Sequence, residues 1–231
     1  MDGGIASLLV LADGRFPSGG HAYSGGVEAA VAAGRVQGAG DLRAFLAGRL
    51  HTTGAVAGAL AAAGCGLAGD ERAVDAGAWR ALDAEADARI TAPALRDSSR
   101  RQGRQVLRAG RAVWPGDVLD QLVDAVPTGA HHPVALGAVA AAGGLTGAEA
   151  ALAATYDSVC GPAMAAVRLL GLDPYAVHSL VADLAPAMEV AAAQAARRST
   201  GPLSELPALA APLLDLSAES HVRAEVRFFA S

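Results

Sequence analysis

Lysine is absent: all 18 basic residues of this 231-residue chain are arginines. That removes a P-loop lysine, a Schiff-base lysine and a Ser-Lys dyad at once. It argues against a nucleotide kinase or a pyridoxal-phosphate enzyme. Aromatic residues are scarce, at 4%. The two cysteines, Cys65 and Cys160, are far apart and form no CxxC, so thiolate zinc sites and redox motifs are excluded. Two free, packed thiols are expected. HExxH and GxSxG are missing too, and His21, His51, His178 and His221 stand alone. No metal site is therefore expected. No basic n-region precedes the first apolar run, so no secretory leader is expected and the cytoplasm is the expected location. The net charge of −5 argues against a general nucleic-acid binder.

What is abundant is alanine, about a quarter of the residues, together with 28 glycines. Alanine favours helix, and the residues that favour strands are few. Small side chains also let helices approach closely. The uncharged stretches at 50–69 and 125–148 are near membrane-spanning length, but Ala and Gly rather than Leu and Ile fill them. They read as buried helices. The fold class expected is all-α: one compact multi-helix domain of about eight to ten helices over 1–214, with a flexible C-terminal tail over 215–231.

Local signals place the helices. Residues 5–12 read as a short apolar helix. Tyr23–Gly34 reads as another, with Ser24 as N-cap and Gly34 as its stop. Asp41 is expected to cap a long helix to about Gly64, and Asp70 to start the next. Pro93 opens an arginine-rich helix, and Trp114-Pro115-Gly116 ends it. A short helix over 117–126 follows, then one from His132-Pro133 to Gly143-Gly144. Thr146 and Glu149 form a capping-box pattern that starts a helix through Leu170, with a kink expected at Pro162. Asp173-Pro174 caps another, to about Arg198, and a short helix precedes the tail.

Three segments carry the functional signal. The first is the loop Phe16-Pro17-Ser18-Gly19-Gly20-His21-Ala22-Tyr23-Ser24-Gly25-Gly26-Val27-Glu28. Its glycines permit positive φ and close backbone approach. It reads as an ordered turn, an anion-binding loop or a partner surface. The second is Arg96, Arg100, Arg104, Arg108 and Arg111, spaced to lie along one helix stripe. It reads as a salt-bridged solvated face, a dock for an acidic partner, or more weakly an RNA surface. The third is the tail, whose Phe228-Phe229 pair is costly to leave in water, so it docks on its own domain or on a partner. His131-His132 read as capping or core histidines.

These segments together resemble the UreF family of urease accessory proteins. The stretch Phe16–Glu28 is similar to the family's Pro-x-Gly-Gly-(Phe/His)-x-x-Ser-x-Gly-x-Glu pattern. Leu95–Arg104, with Ser99 four residues before Gly103, His132-Pro133-Val134 with Gly137, and Ala165-Ala166-Val167-Arg168-Leu169 resemble further family segments. In the tail His221, Arg227 and Phe229 match the family pattern, whereas Val222 and Glu225 depart from it. The resemblance implies an all-α, dimeric, non-enzymatic scaffold without a cofactor of its own. It implies bridging between the accessory protein UreD/UreH and the GTPase UreG, and nickel delivery to apo-urease. The implied partner-binding residues are Pro17, Gly19, Gly20, Tyr23, Ser24, Gly26, Glu28, Arg96, Ser99, Arg100, Gly103, Arg168, His221, Arg227 and Phe229. Two alternatives stay open: a binding module for an acidic partner or RNA, and a small helical enzyme using the glycine loop.

Overall fold

Helix ends follow the local signals closely. The computed structural model describes residues 4–69, 75–223 and 228–229, and among them there are helices and no strands. The α-helical segments are α1 (Gly4–Ala12), α2 (Val27–Ala32), α3 (Ala39–Arg49), α4 (Ala55–Gly69), α5 (Ala76–Arg89), α6 (Pro93–Val113), α7 (Asp117–Ala125), α8 (His132–Ala142), α9 (Gly147–Leu170), α10 (Pro174–Arg198) and α11 (Pro212–Val222). A π-turn over Leu50–Gly54 joins α3 and α4 into one 31-residue helix. Pro93 opens α6, and both arms of the Thr146–Glu149 capping box are made.

Two starts differ from expectation. Ser24 does not cap α2; Gly25 and Gly26 are both left-handed, at φ 58° and 88°, so the helix begins only at Val27. Two successive left-handed residues cannot lie in a right-handed helix. Asp41 lies within the first turn of α3 rather than before it, and there it accepts a hydrogen bond from the Gln37 amide at 3.0 Å. The start expected at Asp70 lies outside the described residues; α5 is capped by Asp75, which accepts from the Ala78 amide.

α4 is the hub, packed on α8, α9 and α10, and α8 is covered in turn by α6. Glycine makes this closeness possible. A Cβ at Gly137 of α8 would overlap the Ala61 carbonyl oxygen of α4, and one at Gly103 of α6 would overlap the Ala130 carbonyl. Both obstacles are backbone, so a side chain cannot turn away to relieve them. Gly137→Ala gains about 1 kcal/mol of helix propensity, yet overpacking costs about 1–3 kcal/mol. Net destabilisation is expected, read as a lower urea midpoint with unchanged slope; a midpoint at or above wild type would refute this packing.

The apolar interior falls into two clusters. One lies around Leu60, Trp79, Leu122 and Val139. The other gathers Val27, Leu42, Leu46 and Val177 against the second half of α9, and Phe229 belongs to it. Cys65 is buried and donates to the Leu145 carbonyl at 3.2 Å; burial pushes its thiol up to about 11. Two helices, Ala39–Gly69 and Pro174–Arg198, are long and apolar enough to cross a membrane by length and composition alone. The first is the hub just described, and core helices pass the same test.

Candidate functional site

The N-terminal loop is pinned at both ends. Phe16 stacks on Trp114, with centroids 5.8 Å apart. Pro17 is exposed. Gly19 is left-handed at φ 73°, and Gly20–Ala22 make a single 3-10 turn. Tyr23 and Ser24 are buried, at 9% and 2% exposure. Gly25 sits against the Pro162 ring of α9; a Cβ there would lie 2.6 Å from Pro162 Cγ. α9 continues through Pro162, whose missing N–H leaves the Ser158 carbonyl without its helical donor. Arg49 supplies one, its Nε donating to that oxygen at 2.9 Å. The loop, α3 and α9 are thus joined at one proline.

The C-terminal segment closes onto the same place. Glu28 is buried, and its two carboxylate oxygens accept the Phe228 amide at 2.7 Å and the Phe229 amide at 3.1 Å. His221 Nε2 lies 3.3 Å from Glu28 Oε2, an ion-pair distance without hydrogen-bond alignment. Arg168 donates to the His21 carbonyl at 3.1 Å and lies over the Phe229 ring at 4.5 Å. Glu28, Arg168, His221 and Phe229 therefore meet in one network. Arg227 lies outside the described residues. Two contacts had no sequence signal: Arg35 donates to Ser217 at 2.6 Å, and Glu219 accepts the Ala94 amide at 2.9 Å. The second gives α6 the N-terminal cap that Ala92 lacks. Helix α11 runs across position 215, so part of the expected tail is helical.

The arginine row is largely engaged within the chain. Arg100 donates to Asp83 and Asp87, each at 2.9 Å, and to the Gly129 carbonyl at 2.7 Å. Arg96 binds the carbonyls of Ile90 and Thr91, and Arg104 that of Thr128. Arg111 pairs with Asp120 at 2.6 Å. Arg108 is exposed. His131 is fully buried and shares Asp87 at 3.1 Å. Burial lowers its pKa despite that carboxylate, so the ring is neutral at neutral pH. Ser99 accepts the His132 amide at 3.0 Å, and Gly103 lets α6 lie against Ala130. Ser99, Arg100 and Gly103 thus fasten α6 to the start of α8.

Between the loop, α6, α9 and α11 lies a cleft of ≈ 220 Å³, lined by Gly20, Tyr23, Ser24, Gly26, Ser99 and His221 among others. It brings together residues from the loop, α6, the start of α8 and the C-terminal segment, but none from Ala165–Leu169. Pro17, Gly19, Glu28, Arg96, Arg100, Gly103, Arg168 and Phe229 do not line it. Arg49, His132 and Asp157 line it as well, although Arg49 and Asp157 are isolated charges with no sequence motif and His132 reads as a capping residue. Among the described residues no group of three His, Cys, Asp or Glu side chains could hold a metal ion.

The architecture is that of an all-helical protein in which both ends of the chain build one composite surface. The sequence model of the UreF family matches residues 36–185. A urease accessory protein UreF of Mycolicibacterium vanbaalenii is 43% identical over 227 residues, covering 98% of this chain and 99% of that protein. One from Mycobacterium sp. strain JLS is 45% identical over 230 residues, with 98% and 99% covered. One from Mycobacterium marinum is 41% identical over 227 residues, again covering 98% and 99%. The chain belongs to the UreF family.

Proposed function

We propose that this protein is a non-enzymatic urease accessory protein that bridges UreD/UreH and the GTPase UreG and regulates GTP-dependent nickel delivery to apo-urease in the cytoplasm. Nickel is cargo of the complex rather than a cofactor of this chain. The observation that carries the reading is the joining of the glycine loop to the C-terminal segment through Glu28, Arg168, His221 and Phe229 in a chain that matches UreF proteins end to end. Partner contacts are assigned to that composite surface: Pro17, Gly19, Gly20, Gly26 and Arg168 are its exposed or half-buried members and Arg227 is assigned with them, whereas Tyr23, Ser24, Glu28, His221 and Phe229 are buried and act by holding the surface in shape. On α6, Arg96, Ser99, Arg100 and Gly103 are assigned to partner binding through the position they give that helix.

The outer side of the C-terminal segment supports this. Leu209, Leu213, Leu216 and Phe228 are exposed at 43%, 63%, 69% and 81%, and Leu213 and Leu216 share one face of α11. A protein in isolation gains nothing by exposing such a stripe. A homodimer is assigned to α10, an apolar helix with Tyr175 and Val190 exposed at 86% and 58%.

Co-expression with UreD/UreH and UreG tests both. A Leu213→Glu, Leu216→Glu double variant is expected to keep its helical circular dichroism and lose at least tenfold in partner capture. Deleting 215–231 is expected to abolish assembly while the remaining helices fold. Full complex formation by either variant overturns the assignment. Tyr175→Glu with Val190→Glu is expected to convert a dimer to a monomer in light scattering; an unchanged mass refutes the α10 interface.

A further inference from the structure

The cleft beneath the C-terminal segment contains polar groups that the fold leaves without partners. Ser24 and Tyr23 are buried, line the cleft, and neither hydroxyl has a hydrogen-bond partner among the described residues. Arg49 uses Nε on the Ser158 carbonyl; its two terminal amino groups have no partner among the described residues, and it forms no ion pair there. Their polar atoms therefore face the cleft itself, where water or a ligand can meet them. The cleft is a mainly apolar pocket with a few polar groups, the usual make-up of a small-molecule site.

The charges decide which ligand. Arg89 also lines the cleft, but its guanidinium is engaged by Glu85 and by the carbonyls of Leu203, Leu206 and Pro207. Burial lowers the pKa of His132, which leaves its ring neutral. Asp157 and Asp215 are the carboxylates on the lining; Asp157 is exposed, and neither reaches ion-pair distance of Arg49 among the described residues. Arg49 is thus a guanidinium fork with both amino groups open, largely desolvated and with Asp157 as the nearby carboxylate, in a cleft that the Tyr23 and Ser24 side chains also line. Such a fork pairs with a carboxylate through two parallel hydrogen bonds. The rest of the wall is apolar, with Leu60, Leu95, Pro162 and Leu214.

We propose that this cleft is a binding site for a small carboxylate, its carboxyl group held by Arg49, Tyr23 and Ser24 and its apolar body against Leu60, Leu95 and Leu214. The site goes beyond partner assembly, because it is complete in the isolated chain.

Titration of the purified full-length protein with acetate, butyrate and benzoate at constant ionic strength tests it, followed by amide chemical shifts or calorimetry. Saturable binding is expected, with benzoate and butyrate tighter than acetate. Arg49→Met is expected to weaken benzoate at least tenfold, and Tyr23→Phe severalfold with unchanged circular dichroism. Should Arg49→Met fail to fold, Tyr23→Phe and Ser24→Ala carry the test. Absence of saturable benzoate binding below about 10 mM, the range of weak fragment-like affinity, overturns the proposal. So does wild-type affinity in the Tyr23→Phe and Ser24→Ala variants. Both results are independent of UreD/UreH and UreG.

Discussion

Glu28→Ala is expected to release the C-terminal segment and abolish partner capture. The carboxylate accepts two backbone amides, those of Phe228 and Phe229, and lies beside His221. Hydrogen bonds to a charged group contribute about 1.5–3 kcal/mol each, and removing the acceptor leaves the Phe229 amide buried without a partner. Water entering the vacated space recovers part of this, so a loss of about 2–4 kcal/mol is expected in urea unfolding. A second readout separates release from general destabilisation. Chymotrypsin is expected to cut near Phe228 and Phe229 in the variant while α3 to α10 stay protected. Phe229 would also lose its place under Arg168. Glu28→Gln retains one acceptor oxygen and should fall between the two. A variant with wild-type stability and a protected C-terminus would show that the carboxylate is not what holds the segment.

The parts of this network were legible in the sequence one by one, but their meeting was not. Helix ends depend on residues a few positions apart, so Pro93, the Thr146–Glu149 box and Asp173 could be placed from local chemistry alone. The α2 start departs from the local signal because Ser24 is a good cap by type, whereas Gly25 and Gly26 adopt left-handed angles that no composition rule assigns. The π-turn at Leu50–Gly54 carries no signature residue. Glu28 and Phe229 are 201 residues apart, and nothing in spacing links them. Arg49 was invisible for the same reason: its role follows from a carbonyl that Pro162 leaves free on another helix. The arginines lie along α6 as their spacing predicts, yet the acids that meet them come from α5 and α7 and the carbonyls from the turn before α8, which a periodicity argument cannot see.

Arg100 has the largest expected effect of that row, and the effect is on stability. Its guanidinium bridges Asp83 and Asp87 and also donates to the Gly129 carbonyl. Asp83 is buried at 5% exposure and accepts the His131 amide at 2.8 Å as well. Arg100→Met keeps the volume and removes the charge, leaving Asp83 as a buried carboxylate without its cation. Breaking a buried pair in this way costs about 3–5 kcal/mol. Arg104 and Arg108 are exposed, and their replacement by Ala is expected to stay within about 0.5 kcal/mol. Acid should weaken the same region. Burial alone would raise the Asp87 carboxyl, but hydrogen bonds from His131 and Arg100 outweigh it and hold the carboxyl below its usual value. Its contribution is present above the unfolded pKa, near 3.9, and is lost as pH falls through the lower folded one. His131 acts earlier: its folded pKa is depressed, so unfolding takes up a proton once pH drops below about 6.5. Urea midpoints measured from neutral pH downward should fall first in the histidine range. That first decline should shrink in a variant with His131→Asn, which cannot titrate there. If Arg100→Met unfolds at the wild-type midpoint but loses partner capture, Arg100 serves a partner rather than the fold.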